Sequence, residues 1–210
     1  MRGKFITLEG VDGSGKSTQA ALLADGLRES GFDVIATREP GGSPGAEDIR
    51  ALLVRGAVTR WDPMTEALLH FAARKEHLNH TIRPALDAGT WVVCDRFADS
   101  TMAYQGYAHG LGPEPVRALY ELVVGALAPD LTLVLELAVD VALARATSAS
   151  GEDRYERMGR AFHDRLGDGY RDIARLEPDR CALIDAGGTV DEVQSAIRAA
   201  VGERLGVGLA

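Results

Sequence analysis

Cysteine is scarce in this 210-residue chain: Cys94 and Cys181 are the only two, each inside a short apolar run. That usage excludes a disulfide scaffold and fits reduced core thiols in a cytoplasmic protein. Long hydrophobic runs are missing as well, since no apolar stretch approaches the roughly 18 residues of a membrane span. Positive charge is in deficit, with 23 Lys and Arg against 31 Asp and Glu and a net charge of −8. A nucleic-acid or anionic-membrane surface would want a basic stripe, so neither is expected. Any anionic ligand must be met by a few local cations. The opening Met1-Arg2-Gly3-Lys4 runs straight into an apolar stretch, so no signal peptide is expected. The remaining composition, 46% hydrophobic and 26% charged, suits one globular domain over 1–210.

The most informative stretch is Gly10-Val11-Asp12-Gly13-Ser14-Gly15-Lys16-Ser17, followed by Thr18. It satisfies G-x-x-x-x-G-K-S/T, with the apolar run Phe5-Ile6-Thr7-Leu8 before it and a helical pattern after it. Glycines let the backbone curl until several N–H groups face phosphate oxygens, and the helix adds its positive end. Lys16 is expected at the β- and γ-phosphates and the Ser17 hydroxyl on Mg²⁺. The chain is therefore expected to bind a nucleoside triphosphate.

Further apolar runs begin at Val34, Trp91, Leu131 and Cys181, and helical patterns separate them. Continuous apolar strands alternating with helices indicate an α/β fold, a P-loop three-layer arrangement with a five-stranded parallel sheet covered on both faces. A single long helix is expected over about 63–88, with Pro84 as a kink or cap, and another over about 155–176. The small, polar 147–153 stretch reads as a short mobile lid. Ligands should lie beyond the strand C-terminal ends, where the loops after Gly10, Arg38, Asp95 and Asp185 begin.

Asp95 closes the third apolar run, as a metal-holding aspartate does, although helix capping also suits that place. Arg96 follows at once, and Arg38 closes the second run; together they suggest a clamp for a second anion, and singly a surface ion pair. Phe71 and Arg74 share a helical face, fit either for stacking and bonding a base or for core packing beside an extended arginine. His77 and His80 also share a face but lack a third metal ligand, so they read as surface residues. His70, His109 and His163 carry no pattern.

With these residues in hand, the chain resembles the bacterial thymidylate kinases, a group of nucleoside-monophosphate kinases. The motifs FITLEGVDGSGKST (5–18), TREPGGS (37–43), FAAR (71–74) and DRFADSTMAYQG (95–106) carry the match in order, with DRYE (153–156) and IDA (184–186) as weaker support. The resemblance implies transfer of the γ-phosphate of ATP to dTMP, giving dTDP on the way to dTTP, with Mg²⁺ on Ser17 and Asp95. It also implies a homodimer packed through helices. By position, Asp12 meets the acceptor sugar, Arg38 and Arg96 hold the dTMP phosphate, and Phe71 stacks on thymine while Arg74 bonds its carbonyl. Ser100, Thr101 and Gln105 line the base and sugar pocket, Tyr104 crowds the 2′ position, and Arg145 borders the adenine.

One departure stands out. One branch of the family supplies a catalytic arginine from the P-loop, where this chain has Gly13, and the other supplies it from the lid. Here 146–153 holds no arginine, and Arg154 just beyond is expected to provide the charge. Three other readings compete, the first a motor or transport ATPase subunit, which would leave Arg38, Phe71, Arg74 and Arg96 without a role. A regulatory GTPase needs an N-K-x-D motif, and the only asparagine is Asn79, followed by His80. A deoxynucleoside kinase needs a carboxylate base near the sugar, a part Glu39 could take.

Overall fold

The computed structural model describes residues 2–146, 154–155 and 157–209. The expected lid, 147–153, lies outside the described residues. β1 (Phe5–Gly10) is the centre of the fold and is buried along its whole length. The five strands, with β2 (Val34–Arg38), β3 (Trp91–Asp95), β4 (Leu131–Glu136) and β5 (Cys181–Asp185), form one sheet in the order β2-β3-β1-β4-β5. Every pairing is parallel. Strands covered on both faces must be apolar on both, which is why they read as unbroken runs rather than alternations.

Alternation along β1 divides the core in two. Ile6 and Leu8 point into a cluster with Leu23, Leu27, Leu166 and Ile197, from α1 (Lys16–Glu29), α8 (Arg160–Leu176) and α9 (Val190–Leu205). Phe5 points the other way, among Phe71, Leu78, Ile82, Leu86 and Phe97. Those residues come from α3 (Pro63–His77), the π-helical turn Leu78–Ile82, α4 (Arg83–Ala88) and the segment after β3. The expected single helix over 63–88 is thus two α-helices joined through a π-helical turn. Pro84 sits in the first turn of α4, directly after the π-helical turn.

α2 (Pro44–Val54) packs on α3, and α6 (Pro113–Val123) on α3 as well. Asp62 caps α3 by accepting from the Met64 and Thr65 amides, and Thr189 with Glu192 forms a capping box on α9. α1 has no side-chain cap, so its first amides receive no side-chain acceptor. The helix expected to start at 155 starts at Arg160, after Gly159. The short α5 (Ala98–Thr101) runs into a second π-helical segment, Met102–Ala108, and α7 (Val139–Ala146) follows β4. Among the described residues no helix is long and apolar enough to cross a membrane.

Candidate functional site

The register pairs Arg38 with Asp95, Leu8 with Asp95 and Gly10 with Leu135, so four strands end on one edge of the sheet. Gly10 leaves β1 at φ 137°, and a Cβ there would stand 2.5 Å from the Leu135 carbonyl oxygen. Gly13 and Gly15 also take positive φ, 82° and 91°, closing the loop onto the N-terminus of α1. Lys16 is buried, its Nζ donating to the Val11 carbonyl at 2.7 Å. Burial and the neighbouring Arg96 charge bring its ammonium down to about 8, against the opposing pull of Asp12 and Asp95.

Ser17 and Asp95, far apart in the chain, meet here: Ser17 Oγ donates to Asp95 Oδ2 at 2.5 Å. The other carboxylate oxygen, Oδ1, is buried with no hydrogen-bond partner among the described residues. A hydroxyl beside a half-used carboxylate is a donor set that suits a hard divalent cation. Among the described residues no group of three His, Cys, Asp or Glu could hold a metal ion. Ligand oxygens or water would therefore have to complete such a shell.

Arg96 occupies the turn between β3 and α5 with φ 72°, a left-handed backbone that costs a non-glycine residue about 1–3 kcal/mol. Both terminal nitrogens of its guanidinium are engaged. Nη1 donates to the Gly10 carbonyl at 3.0 Å, Ser100 Oγ at 3.1 Å and the Tyr170 hydroxyl at 3.0 Å. Nη2 donates to Asp12 Oδ1 and, at 3.1 Å, to the Tyr104 hydroxyl, which in turn donates to Asp12 Oδ2 at 2.7 Å. Burial alone would raise the Asp12 carboxyl, but Arg96, Lys16 and the Tyr104 hydroxyl outweigh it and hold it near about 2.

A second ion-pair group lies beside the first. Arg74 donates from Nε to Glu39 Oε2 at 2.8 Å and from Nη2 to Phe97 O and Thr101 Oγ1 at 3.0 and 3.1 Å. Its Nη1 is buried without a hydrogen-bond partner among the described residues. Glu39 also meets His77 Nδ1 at 3.1 Å, and His77 Nε2 lies 2.8 Å from Thr37 Oγ1. His77 is therefore a buried member of this network and not a surface residue. His80 is exposed, beside Glu76.

Lys16, Ser17, Asp95, Asp12, Arg96, Glu39 and Arg74 border one cavity of about 440 Å³. Six cations, Lys16, Arg38, Arg50, Arg74, Arg96 and Arg145, face it with only three carboxylates, Asp12, Glu39 and Asp95. In a chain of net charge −8 that concentration marks a site built for anions. The rest of the lining includes Gly13, Gly15, Ser17, Thr18, Ser100, Tyr104 and Gln105.

Residues 8–197 match the family model described as thymidylate kinase. The chain belongs to that family. It is 54% identical to the thymidylate kinase of Caulobacter vibrioides over 206 residues, which cover 98% of this chain and 99% of that one. It is 51% identical to that of Rhizorhabdus wittichii over 98% of this chain and 100% of the relative. A third relative, the thymidylate kinase of Symbiobacterium thermophilum, is 51% identical over 96% of this chain and 94% of its own length.

Some residues expected from the family's motifs stand elsewhere. Gly10, Val11 and Ser14 belong to the loop but are not among the residues lining the cavity, and Phe71 and Thr101 are buried, each 1% exposed. The Phe71 ring lies against Arg74, whose Cζ is 4.7 Å from its centroid. Arg154 departs furthest. It is fully buried, pairs with Glu66, and donates from Nε to Leu53 O at 2.6 Å and from Nη1 to Val58 O at 3.3 Å. Those acceptors hold it at the α2–α3 corner, and it is not among the residues that line the cavity.

Sequence reasoning missed Glu9, Tyr170, Glu66 and His70. His70 faces the cavity with Nε2 3.0 Å from the Tyr155 hydroxyl, and burial together with Arg74 pushes its imidazole well below its usual value. Glu9 is fully buried; burial and the Asp99 carboxylate push its own carboxyl up to about 7, while Arg96 pulls the other way. The available signal was a glutamate inside a strand whose every neighbour is buried.

Proposed function

We propose that this chain transfers the γ-phosphate of ATP to dTMP, giving ADP and dTDP. The observation that carries the reading is the convergence of Lys16, Arg38, Arg74 and Arg96 on one cavity beside an uncapped helix N-terminus. The loop amides and Lys16 hold the triphosphate, and Arg38 and Arg96 hold the acceptor phosphate. Arg74, through its buried Nη1, bonds the base within a pocket lined by Gln105 and Ser100, and Tyr104 stands against the sugar. Arg145, which donates to the Ala186 carbonyl at 3.4 Å, borders the adenine.

Ser17 and Asp95 would hold Mg²⁺, which neutralises phosphate charge and orients the triphosphate when bound. The acceptor phosphate is already anionic, so the chain needs no general base. Its residues contribute by positioning both phosphates and offsetting their repulsion. A nucleoside kinase is not favoured. Glu39 is committed to Arg74 and His77, and Asp12, held near about 2, has little appetite for a proton.

We also infer a homodimer. Leu52, Met64, Leu68 and Leu122 are exposed at 41, 37, 49 and 80% on α2, α3 and α6, helices that already pack together. The test of function is ADP release from Mg-ATP with dTMP, dUMP, UMP, dGMP, AMP or thymidine as acceptor. Turnover is expected to be highest with dTMP. Turnover with thymidine but not dTMP would overturn the reading in favour of a nucleoside kinase.

A further inference from the structure

Glu9 touches no part of the cavity, yet four hydrogen bonds converge on it from two separate segments. Its Oε1 accepts from the Phe97 amide at 2.7 Å and the Ser100 amide at 3.3 Å. Its Oε2 accepts from Ser100 Oγ at 2.6 Å and the Tyr170 hydroxyl at 3.2 Å. Those same two hydroxyls are the ones that accept from Arg96 Nη1. We propose that Glu9 is a positioning residue for Arg96, acting through the Ser100 and Tyr170 hydroxyls and the Phe97 amide.

A guanidinium carries only donors, so any hydroxyl beside it must turn its hydrogen elsewhere. Ser100 Oγ and the Tyr170 hydroxyl are 2.9 Å apart, and either can donate to the other, but one hydrogen is then still in need of an acceptor. Glu9 Oε2 is that acceptor, and with it both oxygens can present lone pairs to Arg96. Meanwhile Oε1 ties down the amide that directly follows the left-handed Arg96 backbone. The carboxylate thus fixes both the turn that carries the guanidinium and the hydroxyls that aim it.

Glu9→Gln separates these functions without changing the side chain's shape. If the amide oxygen faces Phe97 and Ser100, its NH₂ meets two hydroxyls, and the one hydrogen that they cannot share is left without an acceptor beside Arg96. If the amide flips, the NH₂ meets two backbone N–H groups. Neither orientation satisfies the site. The inference rests on the reading above in which Arg96 holds the acceptor phosphate.

The experiment is steady-state kinetics on the wild type, Glu9→Gln, Arg96→Ala and the double variant, with ATP and dTMP varied separately. Glu9→Gln is expected to lower kcat/KM for dTMP about tenfold or more while KM for ATP moves less than about twofold. In the Arg96→Ala background it is expected to add less than about twofold, because its effect is carried by the missing guanidinium. An equal loss in both backgrounds, or kcat/KM for dTMP within about twofold of wild type, overturns the positioning role alone. An Arg96→Ala enzyme with unchanged kcat/KM overturns the site reading, and the positioning role with it. Should Glu9→Gln fail to fold, Tyr170→Phe, which removes one of the two hydroxyls, is put through the same cycle with the same criteria.

Discussion

Glu9 and Asp12 lie three residues apart and respond to pH in opposite directions. Glu9 is pushed up to about 7 from an ordinary 4.5, so the folded state holds its proton more tightly than the unfolded chain. Its contribution to stability is complete below about 4.5 and is lost as pH rises through about 7. Asp12, lowered to about 2 from 3.8, contributes above about 3.8 and loses that contribution only as pH falls through about 2. Urea unfolding of wild type and Glu9→Gln at about pH 5 and about pH 8 separates the first effect. Between those values the wild type is expected to lose stability relative to the variant; a gap that does not change with pH would contradict the shift. Ser17, Asp95 and Arg96 were legible in the sequence because their roles follow from strand ends and a short motif. Tyr170 was not, because its contact with Glu9 joins positions 161 residues apart and depends on how α8 crosses the sheet.

α8 reaches that crossing through Gly169. A Cβ there would stand 2.9 Å from Tyr107 Cβ and 3.0 Å from its Cγ, so the glycine sets how closely α8 approaches the π-helical segment Met102–Ala108. Gly169→Ala is expected to cost about 1–3 kcal/mol by overpacking, read as a lower midpoint in urea. Because Tyr170 is the next residue, kcat/KM for dTMP should fall with it. An alanine variant as stable and active as wild type would contradict the crossing. Arg154 ties a different corner, where its pairing with Glu66 leaves the other Glu66 oxygen to accept from Gln105 Nε2 at 2.6 Å. Removing one partner of a buried pair strands the other, so Arg154→Ala should lower the unfolding free energy by about 3–5 kcal/mol. A variant of wild-type stability with kcat reduced about 100-fold would instead put Arg154 among the groups that act on the phosphates. The five strands were legible as apolar runs, but the π-helical turn Leu78–Ile82 was not. One extra residue in a turn displaces the apolar positions too little to break a helical pattern.

The sheet brings together, on one edge, residues that the sequence scatters from Gly10 to Asp185, and the cations among them face one cavity. The anion site could be inferred from motifs, but the committed partners of Asp12 and Glu39 could not. Those partners decide between a phosphorylated acceptor and a hydroxyl acceptor. Assembly of two copies through α2, α3 and α6 predicts a dimer mass in light scattering. A charged substitution such as Leu122→Glu, on the most exposed of the apolar side chains, should shift that mass toward monomer. A monomer mass that is independent of concentration in the unaltered protein would contradict the dimer. The central claim is direct transfer of one phosphoryl group from ATP to dTMP within this cavity. A single-turnover reaction tests it most directly, with enzyme in excess over ATP labelled at the γ-phosphate and with dTMP and Mg²⁺ present. The label is expected to pass into dTDP in step with ADP release. Label recovered as inorganic phosphate or on the protein itself would contradict it.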